Sequence, residues 1–143
     1  MKRTLVLMLV LMLLAGCATR YNTGNSFVGD IPKEASQRIA ADAVAYLSSL
    51  YPPGHTTINL VTTKELSNFR QAFEDGLRAA GFTLSRDGSE TISVAYVLDG
   101  LDKASAYLQL VITDPNQGKM TVTRAYSING EPEAGISTTK VEE

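Results

Sequence analysis

Cys17 is the only cysteine in the chain, so no disulfide can form within it and the fold rests on its core alone. What precedes Cys17 reads as a cleaved secretion signal rather than part of the fold. Lys2 and Arg3 form a charged start, Leu5 to Leu14 an apolar run, and Ala15 and Gly16 the small residues a signal peptidase needs beside its cut. The apolar run is too short to span a bilayer as a stable helix, which takes about 20 residues. Residues 1–16 are therefore expected to be removed, leaving residues 17–143.

Leu14-Ala15-Gly16-Cys17 resembles the lipobox of bacterial lipoproteins. That resemblance implies that the Cys17 thiol receives diacylglycerol, that the signal is cut away, and that the new amine is acylated with a palmitate-type chain. Several acyl chains make attachment effectively permanent, because each buried methylene contributes about 0.8 kcal/mol. Ala18 follows, where many Gram-negative lipoproteins retained in the inner membrane carry aspartate, so by resemblance the expected site is the outer membrane, facing the periplasm.

The chain carries 13 basic and 15 acidic residues, and loss of Lys2 and Arg3 deepens the acidic balance. Direct nucleic-acid binding through a basic face is not expected, nor is electrostatic attraction to anionic lipid. The length suits a single domain with a sizeable core.

Residues 17–30 read as the lipidated cysteine and a polar tether. Within it, Phe27 and Val28 either cover a sheet edge or form a hook for a partner. The domain is expected over 31–129. A first helix spans Pro32 to Leu50, with Ala35, Ile39, Ala43, Tyr46, Leu47 and Leu50 on one face. Tyr51-Pro52-Pro53-Gly54 stops it. Thr56 to Val61 reads as a strand. Thr62-Thr63-Lys64-Glu65 has the form of a capping box opening a second helix, with Leu66, Phe69, Phe73, Leu77 and Ala80 at helical spacing and Gly81 closing it.

Phe82 to Ser85 reads as a short strand leading into an Asp87-Gly88 hairpin. Thr91 to Leu98, Ala104 to Thr113 and Met120 to Ile128 follow as alternating strands, and residues 130–143 as a flexible tail. The expected fold is α+β: a small two-layer sandwich with a mostly antiparallel sheet of four or five strands and two helices on one face.

Catalytic and metal-binding chemistry is sparse. His55 is a lone loop histidine with no recognisable nucleophile partner. No Gly-x-Ser-x-Gly, Ser-x-x-Lys or metal-ligand spacing occurs, and Ser48 and Ser49 are ordinary polar positions. Glu74 and Asp75 are adjacent and read as a hydrated helix face. Asp99, Asp102 and Asp114 lack the ligand spacing of a calcium loop and suit turns. Gly76 inside a helix suggests close approach by a strand or a partner, with packing inside the domain the favoured reason. Neither cofactor nor metal is expected, and Cys17 is the one site residue.

The chain also resembles the TrbH family of conjugal transfer lipoproteins. The likeness rests on Tyr51-Pro52-Pro53, Phe69…Phe73…Leu77-Arg78…Gly81-Phe82, Tyr96-Val97-Leu98-Asp99 and Arg124-Ala125-Tyr126. It implies a non-enzymatic part in the mating-pair-formation apparatus, a type IV secretion system, with other subunits of that complex as partners. Alternatives are a pilotin-like or chaperone lipoprotein serving a secretin or other outer-membrane complex, and a lipoprotein that blocks redundant mating.

Overall fold

The computed structural model describes residues 25–86, 91–133 and 135–141. In chain order these form β1 (Phe27–Val28), α1 (Lys33–Leu50), a 3-10 turn (Pro53–His55), β2 (Thr57–Leu60), α2 (Asn68–Ala80) and β3 (Thr83–Ser85). Four further strands follow: β4 (Ile92–Gly100), β5 (Ser105–Asp114), β6 (Gly118–Ser127) and β7 (Ser137–Val141). The strands make one seven-stranded sheet in the order β3-β2-β4-β5-β6-β7, with β1 added beside β4.

The α+β class and the two helices match the sequence expectation, but the sheet does not. It is mixed and larger than four or five strands. β4 to β7 are antiparallel, whereas β1 and β2 run parallel to β4 and β3 runs parallel to β2. The reason is the placement of helices between strands. β2-α2-β3 is a crossover unit, and a helix joining two neighbouring strands returns the chain in the same direction. The expected hairpin between β3 and β4 is also overturned, since β2 lies between them; its Asp87-Gly88 lies outside the described residues.

Alternation along the strands places the core. Ile58, Leu60, Val94, Tyr96, Leu98, Leu108, Leu110, Ile112, Val122 and Tyr126 all belong to one buried cluster with the apolar faces of both helices. α1 contributes Ala35, Ile39, Ala43 and Leu47 as expected, but Tyr46 is only half-buried and Leu50 exposed. α2 contributes Phe69, Phe73 and Leu77. Phe69 and Phe73 hold the Tyr96 ring at centroid distances of 5.1 and 5.8 Å, tilted and edge-on geometries favoured by the ring quadrupoles.

The start of α2 differs from the expected capping box. Its N-cap is Ser67, whose hydroxyl accepts from the Arg70 N–H at 3.0 Å. Thr62 to Leu66 form the loop before it, and Leu66 is exposed. Arg70 decides the competition between the two caps, because its Nη1 donates to the Thr63 carbonyl at 2.9 Å and fixes the loop outside the helix. The far end closes as expected. Gly81 adopts φ of 106°, and the Phe82 N–H reaches back to the Leu77 carbonyl.

Two segments expected to lack structure join the sheet. Ser26 fills the break where β2 ends and β1 begins along the same edge of β4. Its hydroxyl donates to the Val61 carbonyl and accepts from the Tyr96 N–H. Phe27 and Val28 then pair with Val97 and Leu98, so they cover the sheet edge, although Phe27 stays half exposed. At the other end, β7 pairs with β6 from Lys119 to Thr123. Its polar residues hide the strand signal, because both of its faces are exposed. Gly130, with φ of 84°, lets the intervening loop sit on α1; a Cβ there would lie 2.7 Å from the Ala35 carbonyl oxygen.

Ser26→Ala and Gly130→Ala are each expected to cost about 1–3 kcal/mol, the first by stranding two backbone groups and the second by strain. Urea unfolding of the two variants checks this; an unchanged midpoint in either would contradict the local account.

Candidate functional site

Cys17, the one site residue expected from sequence, lies outside the described residues. Among the described residues, no helix is long and apolar enough to cross a membrane, and no group of three or more His, Cys, Asp and Glu side chains is placed to hold a metal ion.

The sequence candidates are dispersed by the fold. His55 is exposed at the end of the 3-10 turn, where its backbone N–H donates to the Pro52 carbonyl. Ser48 and Ser49 bond back to the Val44 and Tyr46 carbonyls of their own helix. The turn aspartates serve their turns. Asp99 accepts from the Gly100 N–H, Asp102 from those of Ala104 and Ser105, and Asp114 from that of Asn116. Asp102 and Asp114 lie at opposite ends of the ten-residue β5, about 30 Å apart by strand rise. They cannot share an ion.

Gly76 answers to internal packing. A Cβ there would meet Val44 of α1 at 3.0 Å, so the close neighbour is the other helix rather than a strand. Glu74 and Asp75 part company. Asp75 is hydrated as expected, but the Glu74 side chain is only 20% exposed and lies between Arg70 at 2.9 Å and Arg78 at 3.5 Å.

The structure adds two polar clusters that sequence reading missed. The first joins α1 to β6. Arg124 Nη1 meets both Asp42 carboxylate oxygens, at 2.9 and 2.7 Å, and the Tyr126 hydroxyl donates to Asp42 at 2.7 Å. Arg124 also lies 6.0 Å from the Tyr126 ring centroid. Burial and then the Asp42 carboxylate raise the Tyr126 hydroxyl pKa well above its ordinary range. The only sequence hint was Arg124-Ala125-Tyr126, which puts both polar groups on the helix-facing side of one strand.

The second cluster closes the sheet's other end. Tyr51, just past α1, faces the nearly buried Asp114 of the β5–β6 turn. Burial first, and the carboxylate second, push the Tyr51 pKa up to about 12. Tyr51 and Asp114 line a cavity of about 270 Å³ with Tyr46, Met120 and Lys140, the last contributed by β7.

These features define a two-layer α+β module whose polar clusters tie helices to strands and whose second sheet face and β7 edge remain uncovered. Ser93, Val97, Gln109, Thr121 and Thr123 of that face are all partly exposed. The chain belongs to the TrbH family of conjugal transfer proteins, whose family model matches residues 20–142. No curated protein and no solved structure matches it.

Asp42→Ala is expected to lower stability by about 2 kcal/mol, since it removes a charged partner from Arg124 and an acceptor from a buried tyrosine. Chemical denaturation against Asp42→Ala/Tyr126→Phe should show the two losses to be non-additive. A second expectation concerns pH. The raised pKa of Tyr51 contributes stability that is full below its ordinary value of 10.0 and is lost as pH climbs towards about 12. Tyr51→Phe should therefore lose less stability than the parent over that alkaline window; parallel curves would refute the assignment.

Proposed function

We propose that this chain is an outer-membrane lipoprotein that acts, without catalysis, as a structural or assembly component of a conjugative DNA transfer apparatus. Its membership of the TrbH family of conjugal transfer proteins carries the transfer role. The Leu14-Ala15-Gly16-Cys17 motif supports the anchor, with Cys17 bearing the diacylglycerol and N-acyl groups. Acylation confines the domain to a surface and raises its effective concentration there. Partners are other subunits of the transfer complex.

Two surfaces suit such a role. β7 ends the sheet with every residue exposed, so its outer backbone groups can accept a strand from a neighbour. The uncovered sheet face beside it carries threonine, glutamine and valine rather than a dense charge pattern, which leaves it open to contact at little desolvation cost.

In-frame deletion in a donor strain is expected to abolish mating-pair transfer while general envelope integrity persists. Cys17→Ser should lose palmitate labelling and fail to restore transfer, although the domain still folds. Normal mating by the deletion strain would remove the transfer role. Labelled palmitate absent from the parent protein would remove the anchor.

A further inference from the structure

Basic residues look scattered along the chain, but the fold gathers Lys64, Arg70, Arg78 and Arg86 around one open cleft of about 520 Å³. It lies between α2 and the β2–β3 side of the sheet, with Asn59, Ser85 and the Thr62–Lys64 loop also in its wall. Among the described residues, Glu74 is the only carboxylate lining it, and that group is shared by Arg70 and Arg78. The Thr63 carbonyl holds Arg70 from the other side. The two guanidinium groups are thus positioned in advance, while Lys64 and Arg86 close no ion pair among the described residues.

A buried tyrosine backs the cleft wall. Tyr96 is fully buried behind the cleft wall, its hydroxyl against the Thr63 side chain and backbone. The hydroxyl faces Thr63, with Arg70 and Glu74 nearby, all three of which line the cleft.

We propose that this cleft binds a phosphate-type oxyanion. Fixed guanidinium forks match tetrahedral oxyanions geometrically, and mobile lysine and arginine chains can then close over the charge.

The source is either a free phosphate or a phospholipid headgroup. The second is within reach on the lipoprotein reading, on which that source alone rests. Ser26 is bonded to Val61, next to the cleft loop, so residues 17–25 leave the domain beside the site. Extended, they span at most about 30 Å.

The test uses full-length protein in uncharged detergent, titrated with inorganic phosphate and followed by amide shifts of Thr62–Lys64. Saturable binding is expected, weakened at least tenfold in Lys64→Ser/Arg86→Ser with the melting temperature unchanged. In lipid nanodiscs without phosphate, the same shifts with phosphatidylglycerol but not with phosphatidylcholine assign the headgroup as the source. Their absence in both discs assigns the free anion. The proposal is overturned if phosphate does not saturate, if chloride at equal ionic strength gives the same shifts, or if the double variant binds as the parent does. Palmitate labelling, read separately, reports on the anchor and not on the cleft.

Discussion

Everything in this fold is arranged around β4. One of its edges is taken by β5 along nearly its whole length. The other is shared by two segments arriving from different parts of the chain: β2 pairs over Ile92–Val94 and β1 over Val97–Leu98. The break between them falls at Tyr96, whose ring is the centre of the aromatic cluster with Phe69 and Phe73. A single residue thus has to satisfy the sheet through its N–H and the core through its ring. Ser26 meets the first requirement and α2 the second. Seating α2 and locking the N-terminal segment are therefore coupled through one strand.

The same geometry would link the proposed lipid anchor to the body. A polar segment after a lipidated cysteine is free to swing where it makes no contacts. Here the segment is bonded into the sheet from Ser26 onward, so only residues before it can serve as a tether. The domain's orientation to a membrane would then be restricted. In the proposed role this places the cleft loop near the surface, while β7 lies across the sheet at its opposite edge. On that proposal, one side would face the envelope and the other neighbouring subunits.

Polar side chains do much of the joining between layers. Asp42 binds α1 to β6 through Arg124 and Tyr126, and Tyr51 with Asp114 seals the helix end against the β5–β6 turn. Such partly buried pairs specify register more than they add net stability. They explain why this acidic chain can keep several arginines ordered: Arg70, Arg78 and Arg124 each have a carboxylate within reach.

The amino-acid order alone determined both helices, the strands β4 to β6 and their core-facing sides, because hydrophobic period reports which side of an element meets the core. It also carried the family likeness and the Cys17 motif, which are read directly from short runs of residues. Tertiary structure alone decided the direction of β1 to β3, the choice of Ser67 over Thr62 as cap, and the addition of β7. It also decided the meeting of Asp42 with Arg124 and the gathering of four cations around one cleft. These depend on contacts between residues far apart in sequence. A polar side chain on an exposed strand has no periodic signature, and a lysine six positions from an arginine becomes its neighbour only when a helix folds back over a sheet.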